Sequence, residues 1–243
     1  MHYERHDFPT LAQCCHALAE HIVTTARRCV ADHGRFAMAA SGGDTPKPLY
    51  RLLAAPPFVD RMPWDKTHLF WGDERCVDPT HPDSNYRMAQ ETLLAHPLSA
   101  NCTIHRMPGE LPPKEGAASY EEDLRRFFGS GMHEKNLPPT FDLILLGLGS
   151  DGHTASLFPN AKALAETGKW VTATPPGDLP PQVERLTLTI PVINQAAEGI
   201  FLIAGVKKKE LAAAIIADRQ SPPKYPAGRI APQGKLIWYI ADA

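Results

Sequence analysis

His153 stands two residues after Asp151 in the run Phe141-Asp-Leu-Ile-Leu-Leu-Gly-Leu-Gly-Ser-Asp-Gly-His-Thr-Ala-Ser156. An imidazole is the side chain best matched to proton transfer near neutral pH, and a nearby carboxylate can fix its tautomer and raise its basicity. The residues before the first glycine read as a buried strand. A buried strand that ends in glycines and an acid–histidine pair is how an α/β enzyme presents chemistry at the carboxyl edge of its sheet. An enzyme with His153 as its leading catalytic residue and Asp151 as its support is the first reading. A helix-capping histidine is the bland alternative, and the glycine-lined strand exit weighs against it. Gly147-Leu-Gly-Ser-Asp-Gly152 also matches GxGxxG. A dinucleotide site needs a helix opening at the third glycine and an acid about 20 residues on. Here Pro159 follows soon after, and the next strand ends in Thr174-Pro-Pro176, with no acid.

Four more segments carry groups suited to binding. Ser41-Gly-Gly-Asp-Thr-Pro46 lies between a strand and a helix, where Ser41, Gly42, Gly43 and Thr45 can cradle a phosphate. It is neither a P-loop nor a nucleophile elbow, because GxxxxGK[ST] and GxSxG are both absent. An ordinary turn is its alternative. Trp71-Gly-Asp-Glu-Arg75 places Asp73 and Arg75 at another strand end, where Arg75 can hold phosphate or stabilise developing negative charge. A surface ion pair is the competing reading. Gly205-Val-Lys207-Lys208-Lys209 puts cations at a helix start, against the helix dipole, which makes sense where one faces an anion. Arg185 opens Arg-Leu-Thr-Leu-Thr-Ile190, sharing a face with Thr187 and Thr189, and can add a second cation.

The elements that position these groups follow from periodicity and punctuation. Leu11, Cys15, Leu18, Ile22, Ala26 and Cys29 recur at helical spacing, so a helix is predicted over 10–32, capped by Thr10 and closed by Gly34. Further helices are predicted from Pro46 to about Ala54, from Asn85 to about Ala95 behind a Ser84 cap, and over 115–128 and 207–217. Strands are predicted at 35–40, 67–71, 103–107, 141–146, 170–173, 185–190, 200–204 and 236–240. The alternation argues an α/β fold with a mainly parallel sheet covered by helices on both faces, plus a small β excursion near 171–190. No linker divides residues 1–243, so one domain is expected.

The totals bound the function class. The net charge of −2 gives no bulk field for nucleic acid or an anionic membrane. No apolar run approaches the roughly 20 residues of a membrane helix. The polar start Met1-His-Tyr-Glu-Arg-His-Asp lacks a signal core, so a cytoplasmic protein is expected. Five cysteines without CxxC or Cys/His ligand spacing suggest reduced thiols and no metal, with Cys15 and Cys29 as core filler. The 24 prolines cluster between periodic segments and read as loop punctuation.

Taken together, Ala40-Ser-Gly-Gly-Asp-Thr-Pro46, Trp71-Gly-Asp-Glu-Arg75 with Ser84-Asn-Tyr86, Leu146–Pro159, Arg185-Leu-Thr-Leu-Thr189 and Gly205-Val-Lys-Lys208 resemble the 6-phosphogluconolactonase family, in its order and across most of the chain. Two departures are visible, Val206-Lys207 in a motif that often contains glycine and Ala241-Asp242 after the last strand. The resemblance implies a three-layer α/β sandwich and hydrolysis of a phosphorylated sugar lactone, 6-phosphoglucono-1,5-lactone, without a cofactor. On that basis His153 is expected to activate water, with Asp151 orienting it. Backbone N–H groups at Gly149 and Gly152, or Arg75, would stabilise the oxyanion. The Ser41–Thr45 turn, Arg185 and, by alignment, Lys208 would anchor the phosphate. Glucosamine-6-phosphate deaminase is the alternative on the same fold, with Asp73 as its base. It expects a further glutamate shortly after the histidine, where this chain has Thr154-Ala-Ser-Leu-Phe-Pro159. A third reading is a non-catalytic sugar-phosphate sensor. A monomer or weak homodimer is expected.

Overall fold

The computed structural model describes residues 3–129, 138–178, 181–218 and 223–242. Met1 and His2, at the head of the polar N-terminal segment, lie outside them. In chain order the elements are β1 (Tyr3–Phe8), α1 (Leu11–His33), β2 (Phe36–Ala40), α2 (Lys47–Leu53), α3 (Phe58–Arg61), β3 (Thr67–Trp71), β4 (Asp73–Arg75) and α4 (Asn85–Thr92). They continue with β5 (Thr103–Ile104), α5 (Pro113–Phe128), β6 (Leu143–Leu146), β7 (Val171–Thr174), β8 (Arg185–Leu188), α6 (Ile190–Asn194), β9 (Glu198–Ala204), α7 (Val206–Ala217) and β10 (Lys235–Ala241).

Seven strands form one sheet in the order β1-β10-β9-β6-β2-β3-β5, and every neighbouring pair is parallel. Each residue of β2 and β6 is buried. Successive side chains point to opposite faces, so burial of all of them requires cover on both sides. Helices supply it in the expected three-layer arrangement. Helix α1 packs on β1, β2 and β10, and α7 packs on β9. The apolar stripe read from the sequence is the face α1 buries, and both predicted caps are present. Thr10 Oγ1 accepts the Gln13 N–H at 3.3 Å, while Gly34 takes φ 84° and returns its N–H to the Val30 carbonyl.

The strand order sets the position of the site. From β2 the chain winds outward through β3 to β5, and from β6 it winds the other way through β9 to β10, beside which the first strand, β1, forms the edge. The carboxyl ends of the adjacent strands β2 and β6 therefore flank a topological switch point, where connections diverge and leave a crevice. Ser41–Pro46 leaves β2 there, and Gly147–His153 leaves β6. A second, antiparallel sheet of order β4-β8-β7 stands at the same edge.

Several boundaries differ from the pattern reading, each for a physical reason. Strand β1, Tyr-Glu-Arg-His-Asp-Phe, is almost wholly exposed and polar, because it is an edge strand held by its backbone pairing with β10. Strand β4 is too short to show a period and exists because β8 pairs with it. The strand expected at 185–190 stops at Leu188, since Pro191 sits in the first turn of α6. That expected at 103–107 shortens to Thr103–Ile104, and β9 begins earlier, at Glu198. No helix among the described residues is long and apolar enough to cross a membrane.

One edge of the main sheet carries a titrating element. His68 on β3 lies 3.2 Å from His105, whose other ring nitrogen meets Asp123 at 2.8 Å. Burial, reinforced by the His105 and Arg35 charges, holds the His68 imidazole down at about 4. The unfolded chain binds this proton at a pKa of about 6.5, so unfolding takes up a proton between those values. This contribution to stability is present above about pH 6.5 and is lost as pH falls towards 4. The urea midpoint of the wild type should drop across that window, and His68→Gln should drop less steeply. Parallel curves for the two would overturn the assignment.

Candidate active site

The exit of β6 is shaped around an imidazole. His153 Nδ1 lies 2.5 Å from Asp151 Oδ1, and the same oxygen accepts the His153 backbone N–H at 3.1 Å. The carboxylate thus fixes ring and backbone together, and Nε2 makes no hydrogen bond among the described residues. The loop can close this tightly because residue 149 has no side chain. A Cβ there would lie 2.1 Å from His153 Nδ1 and 2.7 Å from Asp151 Oδ1. Gly152 takes φ 82°, and a Cβ on it would meet the Tyr225 ring at 2.4 Å.

These glycines do not serve as the expected oxyanion donors. The Gly149 N–H is spent on the His153 carbonyl at 2.9 Å, and the Gly152 N–H on the Gly149 carbonyl at 3.0 Å. Both bonds hold the turn that presents the histidine. The Ser150 N–H, between them, makes no hydrogen bond among the described residues.

At the exit of β2, the buried Tyr50 hydroxyl accepts the Ser41 N–H at 2.9 Å and donates to the Ser41 carbonyl at 2.7 Å. Gly42 lies against Asn85, whose Oδ1 would be 1.8 Å from any Cβ at position 42. Gly43 turns the chain at φ 87°. Pro46 is the residue before α2 rather than its first, so the helix starts at Lys47.

The small sheet brings two cations together. Arg75 and Arg185 are directly paired positions of β4 and β8. Like charges placed opposite each other on antiparallel strands destabilise a sheet. The Arg185 side chain is buried and donates to the Pro181 carbonyl at 2.9 Å, while the half-buried Arg75 donates to the Asp83 carbonyl. Both Nε atoms are buried without a hydrogen-bond partner among the described residues. Burial pushes the Arg185 guanidinium below its ordinary value, and the adjacent Arg75 charge adds to the effect.

The acids of the same segment behave differently from one another. Asp73 is buried, accepts the Ser156 hydroxyl at 2.6 Å, and lies 3.3 Å from the Asn85 amide. Glu74 accepts the N–H groups of Arg75, Asn85 and Tyr86 at 2.7–2.8 Å and the Ser84 hydroxyl at 3.1 Å. It holds the start of α4 in place.

One cavity of about 300 Å³ gathers these groups. Its lining includes Ser41, Gly42, Gly43, Thr45, Asp73, Arg75, Gly149, His153, Arg185 and Lys208. Asp151 and Gly152 are not among the lining residues, and Asp151 reaches the cavity only through its bond to His153. Of the three lysines only Lys208 lines the cavity; Lys207 is exposed, and Lys209 is turned to Asp242 at 2.5 Å. Residues passed over in the sequence also contribute. Asn85 ties β4 to the β2 turn. Phe158 lies with its ring 4.8 Å from His153 and 5.8 Å from the Arg185 guanidinium, held from behind by the close approach of Gly177. Ala155, another lining residue, sits at φ 47°, a strained angle for alanine. The periodicity of an isolated segment does not show such tertiary neighbours; only the Asn and Phe within the family-like blocks hinted at them.

Comparison with known proteins accords with this geometry. Residues 9–238 match the family described as glucosamine-6-phosphate isomerases/6-phosphogluconolactonase. A 6-phosphogluconolactonase of Synechocystis sp. is 44% identical over 220 residues, covering 90% of this chain and 87% of that protein. One of Nostoc sp. is 41% identical, over 91% of this chain and 88% of its own length. The solved structure of 6-phosphogluconolactonase from Trypanosoma brucei superposes with a TM-score of 0.81 at 28% identity, covering 99% of this chain and 96% of that one. The chain belongs to the glucosamine-6-phosphate isomerase/6-phosphogluconolactonase family.

The role of Glu74 can be checked by stability alone. Glu74→Ala leaves the Asn85 and Tyr86 N–H groups at the buried start of α4 without their acceptor. Urea denaturation should show a loss of about 3 kcal/mol, with Glu74→Gln losing less. A loss below about 0.5 kcal/mol for the alanine variant would mean that the carboxylate does not hold this helix.

Proposed function

We propose that this chain hydrolyses 6-phospho-D-glucono-1,5-lactone to 6-phospho-D-gluconate, a reaction of the pentose phosphate pathway, with His153 as general base. The observation that carries the reading is a single cavity holding a carboxylate-tethered imidazole together with Arg75, Arg185 and Lys208. A sugar phosphate needs a cationic seat at one end, and its lactone carbonyl needs a base at the other. The names of the relatives point to the same substrate.

In this mechanism Nε2 of neutral His153 takes a proton from water as the water oxygen bonds to the lactone carbonyl carbon. The carbonyl oxygen becomes a tetrahedral oxyanion. With the Gly149 and Gly152 donors spent, the Ser150 N–H and Arg75 are the groups left to stabilise it. The intermediate collapses by breaking the bond to the ring oxygen, which takes the proton back from the imidazolium. Asp151 stabilises that imidazolium and keeps Nδ1 turned away from the water. Arg185 and Lys208, with the Ser41–Thr45 turn, grip the phosphate far from the breaking bond, so binding energy is used to place the carbonyl. Asp73 has both carboxylate oxygens engaged by Ser156 and Asn85, which suits a positioning role better than the free base an isomerase needs.

A coupled assay tests the proposal. Glucose-6-phosphate dehydrogenase generates the lactone in place, and its decay is followed with and without the protein, with glucosamine-6-phosphate in parallel. Faster lactone loss without ammonia release is expected. Ammonia release with unchanged lactone decay would move the activity to deamination, and turnover of neither would leave a binding protein. After subtraction of spontaneous hydrolysis, His153→Ala should lower kcat roughly 10²-fold or more. Gly149→Ala, which displaces the ring, should lower kcat by about tenfold or more with less change in KM. Lys208→Ala should act mainly by raising KM. Wild-type kcat in the histidine variant would remove the general base from the mechanism, and an unchanged KM in the lysine variant would remove the anchor.

A further inference from the structure

On the opposite edge of the sheet from the cavity, three side chains that the proposed reaction does not use converge. Cys29 and His33 lie one turn apart on the same face of α1, and Asp142 immediately precedes β6. Their ligand atoms all lie within 4.8 Å of one another. We propose that Cys29, His33 and Asp142 form a binding site for a divalent transition metal of the zinc class.

The donor set selects that class. A thiolate, an imidazole and a carboxylate suit Zn²⁺ or Co²⁺, whereas Mg²⁺ and Ca²⁺ take oxygen ligands. The spacing fits as well. His33 Nε2 stands 3.1 Å from Asp142 Oδ1, against an edge of about 3.3 Å for a tetrahedron with 2.0 Å bonds. The carboxylate is already oriented by a neighbour, because Asp142 Oδ2 accepts the Ala37 N–H at 2.7 Å and leaves Oδ1 facing the histidine. Ligating carboxylates are held in this way by outer hydrogen bonds. The His33 side chain is 46% exposed, so a metal can enter and keep water in its fourth position, while Cys29 forms the buried floor. Cys29 and His33 both already hydrogen-bond to the Asp142 carboxylate, so the three side chains meet at one point, and a metal would take the place of the protons between them.

Charge balance follows from the same set. A thiol must lose its proton to ligate a dication. The thiol proton leaves to solvent as the sulfur–metal bond forms, and one thiolate plus one carboxylate neutralise the two positive charges. Binding should therefore release a proton and tighten as pH rises. The metal would clamp the end of α1 to the amino ends of β2 and β6, whose carboxyl ends carry the cavity.

Titration of the full chain with Co²⁺ tests the site. One equivalent should bind with a thiolate-to-metal charge-transfer band in the near ultraviolet, together with the visible bands of a four-coordinate ion, and Zn²⁺ should displace it. Cys29→Ser should abolish the ultraviolet band. His33→Gln, which alters a half-exposed side chain and spares the core, should keep the band but weaken binding about tenfold or more. Zn²⁺ should raise the melting temperature of the wild type and leave that of the serine variant unchanged. Absence of stoichiometric binding, a band that survives Cys29→Ser, or unchanged affinity in His33→Gln would each overturn the proposal.

Discussion

Two arginines set the terms for the rest of this structure. Arg75 and Arg185 are paired across β4 and β8, partly or wholly removed from water, each with a buried Nε that has no hydrogen-bond partner among the described residues. Folding alone gives no reason to hold two guanidiniums so close. The surrounding acids soften the repulsion: Asp73, Glu74 and Asp83 all act on Arg185. Yet Glu74 is committed to the start of α4 and Asp73 to Ser156 and Asn85. What remains is a positive pocket whose most favourable neutraliser is an anion from solution. The small antiparallel sheet exists to hold this pair. It leaves the main sheet at Gly72, whose N–H bonds to the Ala40 carbonyl and whose carbonyl accepts the Leu188 N–H.

The main sheet provides the reactive counterpart. Because strand order diverges between β2 and β6, the loops that follow these adjacent strands leave side by side. Ser41 reaches the backbone of Gly147 closely enough that a Cβ there would lie 3.5 Å from its hydroxyl. The imidazole on one loop and the cradle on the other are thus positioned by parallel strands buried on both faces, among the most rigid parts of such a fold. Asn85 joins the two systems by touching both Asp73 and Gly42.

Much of this could be read from the chain because the relevant signals are local. The stripe of α1, its Thr10 and Gly34 caps, the Ser84 cap and the apolar runs of β2, β3 and β6 each act within a few residues. The Asp151–His153 pair is equally local, and the structure joins it by a hydrogen bond. The hidden parts were those decided by distant neighbours. Strand β1 carries charges outward and is held by partners distant in sequence, through its backbone pairing with β10, the ion pairs of Glu4 and Asp7 with Lys235 and Lys209, and Phe8 against Tyr239, and β4 is too short to have a period. The Gly149 and Gly152 N–H groups look available in a sequence, but tertiary geometry commits them to the turn. Glycine was legible there as a requirement; what required it, an imidazole and the Tyr225 ring, was not.

That reassignment changes how the site is understood. A glycine-rich loop after a buried strand invites the view that its backbone faces the ligand. Here the Gly149 and Gly152 N–H groups face the loop's own carbonyls. Gly149 gives up its Cβ to admit His153, Gly152 adopts a left-handed angle to pass Tyr225, and both N–H groups brace the loop internally. The cations that line the cavity, Arg75, Arg185 and Lys208, come from other elements. The braced loop holds the His153 imidazole, and the two sheets together set its distance from those cations. Phe158, packed close to Gly177, touches both sides of the cavity, with its ring 4.8 Å from His153 and 5.8 Å from the Arg185 guanidinium.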